Sequence, residues 1–180
     1  YILATMASKG KITLNNINID DLAFPLEVYQ SMGLKIKQLN PSSYEFSCSN
    51  LKSLKKIKTK EFPGYPTDLQ AQLIASLLKV GQKSKITENI FENRFIHIPE
   101  LRRFGAQLDI DGNTVVVNKT NDLFGAEVMA TDIRASFSLI IAAIISKGTT
   151  TINRIYHLDR GYEDFDLKLK KCGVNIKRKK

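Results

Sequence analysis

Ile144-Ile-Ser-Lys-Gly148-Thr-Thr-Thr-Ile152 passes from a helix tail through one glycine into a β-branched strand. The same order occurs twice upstream, as Met6-Ala-Ser-Lys-Gly10-Lys-Ile-Thr-Leu14 and Leu77-Leu-Lys-Val-Gly81-Gln-Lys-Ser-Lys-Ile86. A second trio follows: Tyr29-Gln-Ser-Met-Gly33-Leu-Lys-Ile36, Leu101-Arg-Arg-Phe-Gly105-Ala-Gln-Leu108 and Leu169-Lys-Lys-Cys-Gly173-Val-Asn-Ile176. The paired glycines lie 23, 24 and 25 residues apart, and the first glycine advances by 71 and then 67 residues between units. Such a period marks one supersecondary unit used three times. Each glycine is expected just past a helix end, where a left-handed φ costs it nothing sterically.

The unit therefore reads helix, strand, helix, strand, with one more strand in two of the three cases. In the middle unit, Gln107-Leu-Asp-Ile110 and Thr114-Val-Val-Val117 flank Asp111-Gly112-Asn113, a hairpin signal. In the first, Leu34-Lys-Ile-Lys37 and Tyr44-Glu-Phe-Ser47 flank Asn40-Pro41-Ser42. The third ends on an expected strand, Val174-Asn-Ile-Lys177, whose hairpin partner must come from elsewhere. Between Asp132 and Lys147 the apolar residues leave almost no polar face, so this helix belongs at the centre of a fold. Strands such as Lys35-Ile36-Lys37 alternate instead and have one wet face, unlike the continuous apolar strands of a doubly wound sheet. The expected class is α/β and pseudo-threefold, with helices inside and mixed sheets outside. Its units span about 1–60, 61–125 and 126–180.

Hydrophobic residues make up 43% of the 180 and charged residues 25%, which fits an ordinary globular chain. The most apolar stretch, Phe137 to Ile145, is too short to span a bilayer. Cys48 and Cys172 have neither disulfide nor zinc spacing and fit a reduced, cytoplasmic setting. The net charge of +9 is concentrated in Lys52–Lys60 and Lys168–Lys180. These lysines alternate with apolar residues, as on a solvated face. The aromatic residues are dispersed and Trp is absent, so no stacking stripe for RNA is evident.

No Ser-His-Asp set, Cys-His pair or Walker loop is present, which leaves electrostatic positioning as the available chemistry. The polar residues that break local rules cluster at expected helix starts. Thr67-Asp68 follows Pro66, and Thr131-Asp132 precedes Arg134. Phe91-Glu-Asn-Arg94 and His157-Leu-Asp-Arg160 occupy matching strand-to-helix turns, with the arginines 13 and 12 residues after their units' first glycines. An arginine in a first helical turn opposes the macrodipole. Three at corresponding starts are explained either as ordinary surface ion pairs or as forks for an anion that also meets helix N-termini. Asp68 reads equally as an N-cap. His97 and His157 read as packing residues.

Four motifs carry a family resemblance: Phe62-Pro-Gly-Tyr-Pro-Thr-Asp-Leu-Gln-Ala-Gln72, Ile86-Thr-Glu-Asn-Ile-Phe-Glu-Asn-Arg94, Gly125-Ala-Glu-Val-Met-Ala-Thr-Asp-Ile-Arg-Ala-Ser136 and Arg154-Ile-Tyr-His-Leu-Asp-Arg-Gly-Tyr162. In order and spacing they resemble the enolpyruvyl transferases acting on UDP-N-acetylglucosamine (UDP-GlcNAc), from Tyr1 to nearly Lys180. The related shikimate-pathway transferase shares the repeated fold but differs at these turns. A stand-alone module for anions or RNA is the other alternative. The resemblance implies an inside-out α/β barrel of the EPSP synthase type, and transfer of enolpyruvyl from phosphoenolpyruvate to the 3′-hydroxyl of UDP-GlcNAc. Phosphate is released without metal or cofactor, as the first committed step of peptidoglycan synthesis. It further implies that Asp68 accepts the hydroxyl proton and that Thr67 and Ile90 line the UDP-sugar site. Arg94, Arg134 and Arg160 would hold the phosphate, the carboxylate and the developing charge, with Asp132 supporting Arg134. The family's N-terminal domain, with its loop cysteine and lysine, has no counterpart in these residues. The chain is thus expected to be a C-terminal portion that works with that domain and is inactive alone, with no nucleic-acid or membrane partner.

Overall fold

A computed structural model describes residues 1–179; Lys180, the last of the second lysine run, lies outside them. The elements follow the repeat. The first group is α1 (Ile2–Ala7), β1 (Lys11–Leu14), α2 (Ala23–Ser31), β2 (Lys35–Asn40) and β3 (Ser43–Ser47). The second is β4 (Lys56–Lys58), α3 (Gln70–Leu77), β5 (Ser84–Thr87), α4 (Ile98–Arg103), β6 (Leu108–Asp111) and β7 (Thr114–Val117). The third is β8 (Glu127–Met129), α5 (Ile133–Ile145), β9 (Thr151–Asn153), α6 (Tyr156–Asp159) and α7 (Phe165–Lys171).

Both expected hairpins form. β2 and β3 pair antiparallel, as do β6 and β7, where Asp111 faces Thr114. The two-residue loop between them is Gly112-Asn113, with Gly112 at φ +55 as the first central residue, the position where primed hairpin turns favour glycine. Gly33, Gly105, Gly148 and Gly173 also have positive φ, but Gly10 and Gly81 do not. After α1 the left-handed residue is Lys9, at φ 56, so that helix turns one residue earlier than its glycine predicts.

The strands form three sheets, in the orders β1-β3-β2, β4-β5-β7-β6 and β8-β9. Both β4 and β8 precede the central helix of their group and pair parallel with the strand after it. The sequence reading missed these two because three residues are too few to show a period. The expected strand Val174–Lys177 does not form. Among the described residues it enters no ladder; Val174 and Ile176 instead pack partly buried against the core. In the four-stranded sheet, Ile57 faces the buried Ile86 while Lys56 faces Lys85 on the wet side. Like charges directly opposite one another weaken a ladder.

The all-apolar helix lies where its composition places it. In α5, Ala135 through Ala142 are buried, and α5 packs against α3 and α1, which also touch each other. Met6, Leu73, Ile74, Leu77, Phe137 and Ile141 are at most 1% exposed there. The helix is shorter than the Asp132–Lys147 span read from sequence, because Asp132 caps it and Lys147 bridges to Phe124. Gly125 follows that bridge and donates its N–H to the Lys147 carbonyl at 2.7 Å. A Cβ at Gly125 would run into the Thr149 backbone, so only glycine lets the chain entering β8 lie on the chain leaving α5. Among the described residues, no helix is long and apolar enough to cross a membrane.

Candidate anion and proton-transfer site

The starts of α3 and α5 lie side by side, and their polar residues meet. Pro66 is extended and feeds a 3-10 turn, Thr67–Leu69, from which α3 continues. The loop before it is anchored by the buried Tyr65, whose hydroxyl donates to the Leu69 carbonyl at 3.3 Å. Asp68 does not cap the helix, contrary to the simplest reading of Pro-Thr-Asp. Its side chain is 63% exposed and turns toward two arginines. Arg134 Nε donates to Asp68 Oδ1 at 2.5 Å, and Arg94 Nη1 lies 3.8 Å from the same oxygen.

Asp132 is the cap instead. Its Oδ1 accepts from the backbone N–H groups of Arg134 and Ala135 at 2.7 and 2.9 Å. That carboxylate satisfies two open amides of α5 and offsets the unfavourable position of the Arg134 cation in the first turn. Arg134 Nη1 is also 4.0 Å from Asp132 Oδ1, so the guanidinium sits between two carboxylates that hold it from either side. Arg94 belongs to the turn before α4, and its guanidinium lies 4.3 Å over the ring of Phe91, a contact the sequence did not suggest. A surface cavity of about 490 Å³ opens beside it, lined in part by Phe91, Arg94, Phe95 and Ile96.

Thr67 and Ile90 are fixed by one further side chain absent from the sequence-based set. Glu88 accepts from the Thr67 hydroxyl and from the Ile90 N–H, each at 2.8 Å. Glu88 lies inside the Ile86–Arg94 motif, but nothing in its spacing sets it apart from the neighbouring polar residues.

Arg160 stands apart from the group that the structure brings together. Only Arg134 lies within a first helical turn; Arg94 precedes α4 by four residues and Arg160 precedes α7 by five, so these two keep matching places in their units. In the third unit the strand-to-helix connection itself winds into α6, so Arg160 falls at that helix's C-terminal end, where a cation suits the macrodipole. It is exposed, and among the described residues it makes no ion pair. It lines a separate open groove of about 610 Å³ together with Tyr162, Asp166 and Arg178. Tyr162, two residues on, ties this segment back. Its ring stacks on Phe137 with centroids 4.4 Å apart, and Gln72 Nε2 donates to its hydroxyl at 3.5 Å. Burial pushes the Tyr162 phenol above its ordinary pKa; the Gln72 bond opposes this and the nearby Asp68 charge adds to it.

His97, beneath this cluster, is a packing residue as expected. It is 1% exposed, and neither ring nitrogen makes a hydrogen bond. Burial lowers its pKa from 6.5 to about 4, with the Asp132 charge and the Arg94 backbone opposing that only in part. The unfolded chain therefore binds more protons than the folded one between these values, and stability falls as pH drops through them. A penalty on the order of 3 kcal/mol is expected at pH 4 relative to pH 7. Urea midpoints at the two pH values should show it, and His97→Phe should remove most of it. Equal pH dependence in wild type and variant would refute the assignment.

Comparisons with known proteins show the family of this chain. A family model described as EPSP synthase (3-phosphoshikimate 1-carboxyvinyltransferase) matches residues 1–169. The UDP-N-acetylglucosamine 1-carboxyvinyltransferase of Bartonella henselae is 47% identical over 99% of this chain and 42% of its own length. The enzymes of the same name from Campylobacter lari and Pelagibacter ubique are 44% and 43% identical over the same shares. The chain thus spans about two-fifths of the length of these relatives. Among solved structures, the enolpyruvyl transferase NikO from Streptomyces tendae matches with a TM-score of 0.84 at 24% identity, over 98% of this chain and 43% of that one. EPSP synthase from Acinetobacter baumannii matches with a TM-score of 0.71 at 16% identity, over 99% of this chain and 42% of that one. At such identities the structural likeness speaks for the fold.

Proposed function

Because this chain belongs to the EPSP synthase family, we propose that it forms the C-terminal part of an enzyme transferring enolpyruvyl from phosphoenolpyruvate to the 3′-hydroxyl of UDP-GlcNAc. The observation that carries this reading is the convergence of Arg134 and Arg94 on one oxygen of Asp68. Enolpyruvyl transfer needs a group that takes the proton from a hydroxyl, next to cations that hold a phosphate, a carboxylate and the charge developing between them. In net terms a C–O bond forms to the sugar, the C–O bond to phosphate breaks, and the hydroxyl proton leaves with the phosphate.

Asp68 is the proton acceptor in this proposal. Arg94 and Arg134 bind the anionic donor, Asp132 holds Arg134 in place, and Thr67 and Ile90 face the UDP-sugar. Arg160 completes the anion clamp from the turn that Tyr162 ties to α3. The three groups of elements, at about 1–60, 61–125 and 126–180, form the units of a pseudo-threefold inside-out barrel. The contact among α1, α3 and α5 supports this arrangement. The partner is the N-terminal domain that this family's longer members carry, and the setting is the cytoplasm, at the committed step of peptidoglycan synthesis.

The acceptor distinguishes two members of the family. The relatives at 43–47% identity are named for UDP-GlcNAc, which favours that acceptor over shikimate 3-phosphate. The complete gene product carrying these residues should release phosphate from phosphoenolpyruvate only when UDP-GlcNAc is supplied. Release with shikimate 3-phosphate in its place, or none with either acceptor, overturns the reading.

A further inference from the structure

We infer that Glu88 is a positioning residue that holds Asp68 and Arg94 in register for the reaction, an inference that rests on the enolpyruvyl-transfer reading. Glu88 follows β5 and is only 3% exposed. A buried carboxylate survives only where its oxygens are matched by donors. Here Oε1 accepts from the Thr59 hydroxyl at 2.8 Å and from the N–H groups of Ile90 and Phe91 at 2.8 and 3.2 Å. Oε2 accepts from the Thr67 hydroxyl at 2.8 Å. Thr59 Oγ1 in turn accepts from the Asn89 N–H at 2.8 Å, which closes the network on itself.

The donors come from three separate stretches of chain, and two of them run directly into the site. Thr67 immediately precedes Asp68, whose carboxylate meets both arginines. Ile90 and Phe91 lead to Arg94, and the Phe91 ring lies under the Arg94 guanidinium. One carboxylate therefore fixes both the segment that presents the proton acceptor and the segment that presents an anion-binding arginine. A hydroxyl or an amide in place of Glu88 could not accept from every one of these donors.

The two oxygens divide the work, and that division makes the role testable. A glutamine can keep its carbonyl oxygen at the Oε1 position, where two backbone N–H groups demand an acceptor. Its amide nitrogen then falls opposite Thr67 Oγ1, so the hydroxyl must change from donor to acceptor and its own hydrogen loses the Oε2 partner. Glu88→Gln thus reverses and weakens the link on the Asp68 side of the clamp while keeping the Arg94 side, at nearly constant volume. Reacting groups misplaced by about 1 Å can cost on the order of 100-fold in rate.

The test uses the complete gene product. Glu88→Gln should lower kcat by about 10- to 100-fold with the KM for phosphoenolpyruvate changed less than about twofold. Thr67→Val should give a similar loss. The double variant should be no worse than Thr67→Val alone, because both changes act on the same link. A kcat for Glu88→Gln within about twofold of wild type, or losses that multiply in the double variant, overturns the inference. A role in stability alone would change the active fraction of both proteins but would not produce this non-additivity. A second readout does not depend on turnover. The Arg134 Nε–H resonance, displaced by its bond to Asp68, should move toward that of a free guanidinium in Glu88→Gln. A resonance that stays put overturns the inference even if the wild type releases no phosphate, an outcome that would by itself refute the functional reading.

Discussion

Asp68→Asn should reduce phosphate release by the complete gene product by about 100- to 10,000-fold, the range expected when a general base is lost. Asparagine has nearly the same shape and can still accept a hydrogen bond from Arg134 Nε, so the contact between the starts of α3 and α5 is kept. It cannot take up a proton at neutral pH. The side chain is 63% exposed and caps no helix, so the melting temperature should change by only a few degrees. The KM for UDP-GlcNAc should change much less than kcat, since the lost function lies in the transition state. Steady-state kinetics on thermally intact Asp68→Asn protein provide the check. A kcat within tenfold of wild type would remove Asp68 from the role of proton acceptor.

Arg134→Lys should lower kcat/KM for phosphoenolpyruvate by about 100- to 1,000-fold, the usual loss when a preorganised charge-stabilising donor is removed. Lysine keeps the charge but loses the planar fork, which here reaches Asp68 through Nε and lies near Asp132 through Nη1. The effect on stability should be slight. An exposed ion pair contributes little, and a cation in the first turn of α5 works against the helix dipole. A large loss of activity with an unchanged melting temperature is therefore the signature. A comparable loss of both would show that Arg134 serves the fold instead.

The fold was legible in the sequence where the period was long enough to repeat and the residue types were specific. Gly33, Gly105 and Gly173 stand just past the ends of α2, α4 and α7 as their spacing predicts, Asp111-Gly112-Asn113 marked its hairpin, and the apolar run of α5 placed that helix in the core. Strands β4 and β8 were invisible, because their three residues gain meaning only from the partners they pair with. Val174–Lys177 misled for the same reason: a strand-like pattern becomes a strand only beside another. At the site, Asp68 and Asp132 were visible as acids at expected helix starts and Arg134 as a cation set against the helix dipole, and the structure brings the three together. Arg94 and Arg160 stand at matching places before α4 and α7, as the repeat arithmetic expects, but the third connection also winds into the short α6, which Arg160 ends. Glu88 could not have been found from spacing. Its significance lies in four donors, two from its own turn and two from the Thr59 and Thr67 segments.

The pairing of Lys56 with Lys85 across β4 and β5 gives this molecule two opposite responses to ionic strength. The Debye length shrinks from about 10 Å at 0.1 M to about 3 Å at 1 M, which screens exposed charges from one another. Screening relieves repulsion along the lysine ladder, so concentrated electrolyte firms the four-stranded sheet. The same ions loosen the exposed contact between Asp68 and its arginines and compete for the guanidinium groups. Conditions that make the scaffold sturdier are therefore those that leave the cluster of Asp68, Arg94 and Arg134 least organised.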